Sequence, residues 1–355
     1  MIALSESFWK DRRVFVTGHT GFKGAWLTIW LEQMGAIVKG YSVDVPTNPS
    51  LFEIVHQKLD VQHCIGDIID LTHLQAEVEL FQPEIIFHLA AQPLVSESYK
   101  DPVKTFNTNV MGTVNILEVI RMTDSIKAGV IITTDKCYHN QEWLWGYRES
   151  DRLGGYDPYS NSKACAELVV DSYNNSFFKT NNSKYVATAR AGNVIGGGDW
   201  ALNRLVPDCL NAIENGDPIV LRSPKSVRPW QHVLEPLAGY LELGYELLNE
   251  SEIHASAWNF GPKNDGVVNV ENIVKKLYKF YEKESLLEVS DEKHFHETNL
   301  LLLDTNKAEK LMNWKPRWSI DTTLMKIVQW HMAYLNNENI LDLCQQQIIE
   351  FIGED

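Results

Sequence analysis

Three glycines, Gly18, Gly21 and Gly24, join the strand-like run RVFVTG (13–18) to the helical stretch KGAWLTIWLEQMG (23–35). A chain that passes this quickly from strand to helix must place the turn at the edge of a sheet. Glycines there let the backbone bend tightly and approach a phosphate closely. The first N–H groups of the helix have no partner within it, and with the positive end of its dipole they favour an anion. The spacing is G-x-x-G-x-x-G, not G-x-G-x-x-G, so a plain strand–turn–helix connection also accounts for the glycines alone.

The following residues narrow the reading. Apolar, β-branched runs recur at AIVKGYSVD (36–44), VQHCIGDIID (61–70), EIIFHLAA (84–91), GVIITTD (129–135) and YVATARAGNVIG (185–196). Helical patterns lie near 71–81, 103–122 and 159–178. Strands alternating with helices at this spacing imply right-handed crossovers, hence an α/β fold with a doubly wound parallel Rossmann sheet. After about Gly196 the pattern loosens into a smaller C-terminal α/β lobe, although SIDTTLMKIVQWHMAYLN (319–336) reads as a helix capped by Ser319. The expected division is a dinucleotide-binding domain over 1–190 with a return segment at 232–260, and a substrate lobe over 191–231 and 261–355.

Asp44 ends the second strand, where a carboxylate accepts hydrogen bonds from both hydroxyls of an adenosine ribose and repels a 2′-phosphate. That favours NAD over NADP; a solvated loop acid is the plain alternative. Asp67 and Ile68 follow the third strand and can flank an adenine. Leu89, Ala90 and Ala91 follow the fourth, with side chains small enough for a dinucleotide to pass.

The formal charge of −15 argues against nucleic acid or an acidic membrane surface as partner. It also means that an anionic small molecule needs a dedicated cluster of donors. Five scattered cysteines without a C-x-x-C pair point to a reducing compartment and to neither disulfides nor zinc. The 11 histidines show no metal-ligand spacing. No apolar run reaches the ~18–20 residues needed to span a bilayer, and MIALSESFWKDRR lacks the core of a signal peptide. The expectation is a cytoplasmic protein without a metal.

Tyr159 and Lys163, in DPYSNSKACAELVV (157–170), stand four apart on a helical pattern and share one face. Such pairs are common by chance. Together with Thr134 at a strand tip and a dinucleotide loop they become specific: a cation beside the phenol favours its ionised form, which can remove a hydroxyl proton as a hydride departs.

With T-G-x-x-G-F-x-G at 17–24, H-L-A-A at 88–91, N-V-x-G-T at 109–113 and Y-S-N-S-K at 159–163, the chain resembles the extended short-chain dehydrogenase/reductase family from about residue 12 to 335. The resemblance implies an NAD site built from Gly18, Gly21, Phe22, Lys23, Gly24 and the residues above, with Thr134, Tyr159 and Lys163 as the active site and a second lobe for a nucleotide sugar. Relatives of this kind form homodimers or homotetramers through the helices equivalent to 103–122 and 159–178.

The stretch TTDKCY (133–138) is similar to the strand tip of nucleotide-sugar 4,6-dehydratases, which place Thr-Asp there, usually followed by Glu; here Lys136 follows. Together with RAGNVIGGGDWALNRLVPD (190–208), VRPWQHVLEPLAGYL (227–241) and NFGP (259–262), it implies CDP-linked glucose as substrate and deoxysugar synthesis for cell-surface polysaccharide as the setting. Asp135 becomes the acid for the departing hydroxyl. Lys136 becomes the base for the carbon 5 proton, or else stabilises the enolate electrostatically. Asn193, Arg204, Leu205 and Arg228 are the expected substrate contacts, with His296 a substitute where relatives carry Arg. Three readings stand: a 4,6-dehydratase on CDP-, dTDP- or GDP-sugars; a 4-epimerase or plain dehydrogenase, in which Asp135 and Lys136 are idle; and a non-catalytic NAD-sensing protein.

Overall fold

A computed structural model describes residues 2–179, 184–262, 266–289 and 300–353. The described strands are β1 (Arg13–Thr17), β2 (Ile37–Ser42), β3 (Val61–Ile65), β4 (Ile85–His88), β5 (Ala128–Ile132), β6 (Tyr185–Ala191), β7 (Asn193–Ile195), β8 (Ile219–Leu221), β9 (Val227–His232), β10 (Ala257–Phe260), β11 (Val267–Asn269) and β12 (Leu287–Val289). Seven of them form one sheet in the order β10-β6-β5-β4-β1-β2-β3. Every pairing in that sheet is parallel. The central strands are apolar along their whole length because helices cover both faces; all five residues of β5 are buried. The strand order reverses between β1 and β4, and the crevice outside their carboxyl ends is where such sheets bind ligands.

The run 185–196 is not one strand but two. It breaks at Gly192, where a Cβ would lie 2.7 Å from Pro229 Cγ and 3.0 Å from Asp135 Oδ2. β6 stays in the main sheet, while β7 joins the three-stranded sheet β11-β9-β7 of the smaller lobe. The chain then returns: helix Leu234–Leu248 carries Leu237, Tyr240 and Leu241 into the main core, and β10 pairs in parallel with β6. The smaller lobe has its own core around Val206, Cys209, Ile213, Trp230, Ile273, Leu277 and Leu324. It holds helices Leu205–Asn215 and Val270–Phe280. Ser319 caps helix Ile320–Leu335 by accepting from Thr322 N.

One placement departs from the expected division. The last helix, Ile340–Gly353, buries Ile340, Cys344, Ile348 and Phe351 in the main core, and Phe351 meets Trp30 edge-on at 5.9 Å. Its apolar face packs on helix Phe22–Gln33, in which Trp26, Leu27, Ile29, Trp30 and Leu31 are buried. Eight of the eleven tryptophans are buried, while Trp143 and Trp145 are exposed.

Candidate active site

Gly18 adopts φ +74°, and a Cβ there would lie 2.6 Å from the Ala90 nitrogen, so only glycine lets the first loop close on Leu89-Ala90. A Cβ at Gly24 would lie 2.1 Å from the Gly18 carbonyl oxygen. Gly21 caps helix Phe22–Gln33 without any side-chain acceptor. Its opening N–H groups therefore face the β1/β4 crevice unclaimed by a side chain, and the cradle fits a dinucleotide pyrophosphate. Asp44 lies just past β2 with its side chain exposed, and its carbonyl accepts from Thr20 Oγ1 at 2.6 Å. The Asp67 carboxylate is also exposed and accepts from Ile69 N at 3.0 Å, while Ile68 is buried against Gly112. Leu89, Ala90 and Ala91 are half-buried beside the loop. His19 and His88 are both buried side chains, and burial pushes the pKa of each down to about 3.

Next to this crevice is a cavity of about 1060 Å³ lined by both lobes, a volume suited to a nucleotide-linked sugar. Phe22, Lys23, Thr134, Asp135, Lys136, Tyr159, Asn193, Arg204, Leu205 and Arg228 all line it. Lys163 lies buried behind the wall, its Nζ donating to the Ile132 carbonyl at 3.0 Å. His296 lies outside the described residues.

The strand tip is shaped by its own polar groups. Thr134 caps the short turn Asp135–Cys137 by accepting from Lys136 N at 3.3 Å, and its hydroxyl donates to Asp135 Oδ1 at 3.1 Å. Asp135 is buried, and burial raises its pKa above the ordinary carboxylate value. The charges of Lys136 and Arg228 and the Thr134 hydrogen bond oppose that shift without reversing it. A carboxyl held toward its protonated form is what an acid for a leaving hydroxyl requires. Lys136 differs: its side chain is exposed along the cavity wall.

Tyr159 has its pKa pushed up to about 12, first by burial. The Thr134 hydroxyl and the Arg204 guanidinium pull it back, while Asp135 and Asp157 push it further up. Arg204 is thus one cation that bears on the phenol, while the Lys163 ammonium donates to the strand carbonyl of Ile132. Burial lowers Lys163 to about 8, offset by Glu167 and Cys137. Lys23 falls to about 7 through burial and the charges of Lys163 and Arg204, with Asp135 opposing. Cations thus converge on one carboxyl, and an acidic chain acquires a local site for an anion.

Arg222 and Asp208 are among the cavity residues that the sequence reading did not single out. Arg222 follows β8 and donates from Nη2 to Asn203 Oδ1 at 2.9 Å. Asp208 sits in the first turn of helix Leu205–Asn215, its pKa raised to about 6 by burial. The available signal was a guanidinium one residue beyond an apolar strand, muted because β8 has only three residues.

Sheet order, glycine cradle and the Thr134/Tyr159/Lys163 cluster define a protein of the extended short-chain dehydrogenase/reductase class. The family model described as GDP-mannose 4,6 dehydratase matches residues 15–327, and the chain belongs to that family. It is 50% identical over 354 residues, 99% of both chains, to a CDP-glucose 4,6-dehydratase of Salmonella typhimurium. Among solved structures it is similar to a dTDP-glucose 4,6-dehydratase of Streptomyces venezuelae crystallised with NAD, at TM-score 0.78 and 21% identity, covering 93% of this chain and 99% of that one. An epimerase of Methanothermobacter thermautotrophicus gives TM-score 0.81 at 20% identity over 98% of both chains.

Proposed function

We propose that the chain is an NAD-dependent CDP-glucose 4,6-dehydratase, converting CDP-glucose to CDP-4-keto-6-deoxyglucose and water. The observation that carries this reading is a buried carboxyl, Asp135, held toward its protonated form in the same cavity as Tyr159, in a chain half identical to a CDP-glucose 4,6-dehydratase over nearly its whole length. A 4-epimerase has no use for such an acid.

Bound NAD supplies a hydride acceptor for carbon 4, a hydride donor for carbon 6 and the positive charge of its nicotinamide. The residues to hold it are those of the glycine cradle, with Asp44 at the ribose, Asp67 and Ile68 at the adenine, Leu89 to Ala91 along the dinucleotide, and Tyr159 and Lys163 at the reactive end. Tyr159 takes the proton of the 4-hydroxyl, in the ionised form that Thr134 and Arg204 favour, and Thr134 orients that hydroxyl. The resulting ketone acidifies the carbon 5 proton. Asp135 donates its proton to the departing 6-hydroxyl. Water in the cavity takes the carbon 5 proton, and Lys136, exposed on the cavity wall, stabilises the resulting enolate as a cation. A proton returns to carbon 5 as carbon 6 is reduced. Arg204 and Arg228 receive the diphosphate, since guanidinium forks match phosphate oxygens, while Asn193 and Leu205 line the sugar-nucleotide path.

The working form we assign is a cytoplasmic homodimer. The helical faces around 103–122 and 159–178 leave Met111, Leu168 and Phe177 exposed, which suits burial against a second copy. No described helix is long and apolar enough to cross a membrane.

The test is to incubate the protein with NAD and, separately, CDP-, dTDP-, UDP- and GDP-linked hexoses. The expected outcome is loss of one water mass and the alkaline ultraviolet absorbance of a 4-keto-6-deoxy sugar, with CDP-glucose alone. A carbon 4 epimer of unchanged mass would replace this reading with the epimerase.

A further inference from the structure

Behind the reacting groups lies a buried ion pair. Arg190 and Glu167 keep only 3% of their side-chain surface each. The pair is bidentate: Arg190 Nε donates to Glu167 Oε1 at 2.9 Å, and Nη2 to Oε2 at 2.8 Å. Thr188 Oγ1 donates to the same carboxylate at 2.6 Å, and so does Thr133 Oγ1. Arg190 also donates from Nη1 to the Tyr138 hydroxyl at 2.7 Å and to the Glu149 carbonyl at 3.1 Å. Removing two charges from water costs about what their attraction returns, so stability alone does not explain the pair.

Its place in the fold does. Tyr159, Lys163 and Glu167 occupy successive turns of one face of helix Pro158–Tyr173. Each turn meets the same strand end. Glu167 receives Thr133, Lys163 binds the carbonyl of Ile132, and Tyr159 faces Thr134. Two consecutive residues of the strand end are thus tied to two turns of the helix. Thr133 and the next two residues, Thr134 and Asp135, line the cavity.

We infer that Glu167, clamped by Arg190, is a positioning residue: through Thr133 it sets the spacing between Asp135 on the strand and Tyr159 on the helix. Glu167 itself does not line the cavity. The carboxylate has two threonine donors of the same kind, and only Thr133 adjoins the turn that carries Asp135. Thr188 lies within β6, away from the cavity lining.

This difference supplies the test, which rests on the dehydratase reading for its assay. Thr133→Val and Thr188→Val each remove one hydroxyl from the same carboxylate without changing side-chain shape. Thr133→Val should lower kcat at least about tenfold with KM within about twofold, because small misplacements of reacting groups are costly in rate. Thr188→Val should stay within about twofold of the unaltered protein in both constants, with a similar change in melting temperature. Thr133→Ser, which keeps the hydroxyl, should restore kcat. Equal losses for the two valine variants would reduce the pair to a structural role and overturn the inference, as would an unchanged kcat in Thr133→Val. Failure of the unaltered protein to dehydrate CDP-glucose would instead sink the functional reading. The variant ratios are taken on whichever nucleotide sugar it does oxidise.

Discussion

The strand tip and the substrate-lobe wall border one cavity and treat charge in opposite ways. At the tip, Asp135, Lys163 and Glu167 are withdrawn from water, and each shifts its titration or finds a fixed partner. On the opposite wall Arg204 keeps 36% of its side-chain surface, and Arg222 is paired with an asparagine. Burial tunes proton affinity at the tip, whereas on the wall Arg204 donates from Nη1 to Asp199 Oδ2 at 3.1 Å and its guanidinium fork suits a phosphate. Substitutions at the tip should therefore act on turnover, and those on the wall on binding.

The largest effect is expected for Tyr159→Phe, a loss of roughly 10²–10⁴-fold in kcat with KM little changed, the range for removing a general acid–base group. A smaller loss in steady-state turnover would mean that the proton leaves by another route. Asp135→Asn and Lys136→Met split the tip further. Both should block water loss yet leave carbon 4 oxidation detectable by reduced-nicotinamide absorbance. Full turnover in Lys136→Met would remove that residue from the mechanism.

On the wall, Arg222→Met should raise KM about tenfold to a hundredfold, the worth of a charged hydrogen bond, with kcat unchanged. Arg204→Met sharpens the comparison because this guanidinium also bears on the Tyr159 phenol. It should raise KM and lower kcat together. If Arg204 and Arg222 variants behave alike in steady-state kinetics, the wall has no hand in tuning the base.

The smallest effect concerns stability. Asp208 has a folded pKa of about 6 against 3.8 ordinarily, so folding favours its protonated form and ionisation costs stability. The penalty is absent below pH 3.8, grows as pH rises through this interval and is complete above about 6. Asp208→Asn should therefore raise Tm by a few degrees at neutral pH and by nothing in strong acid. A rise independent of pH would point to a cause other than charge.

Much of the main sheet was legible because parallel strands buried on both faces read as continuous apolar runs. The glycine cradle and the Tyr159/Lys163 face were legible because local spacing fixes them. Three things were hidden by long-range packing. Gly192 splits a strand because Pro229 and Asp135 crowd it, and neither is near in sequence. The exposure of Lys136 depends on how a three-residue turn leaves the strand. The partner of Lys163 is a backbone carbonyl, which no side-chain pattern reveals.

The path of the backbone carries a consequence for how this protein can come apart. It leaves the main sheet at Gly192, rejoins it by β10, departs once more and ends with Phe351 pressed on Trp30. Neither lobe is one uninterrupted length of polypeptide, so no single cut frees a self-sufficient half. Unfolding should accordingly be one cooperative event, with floor and wall of the cavity lost together.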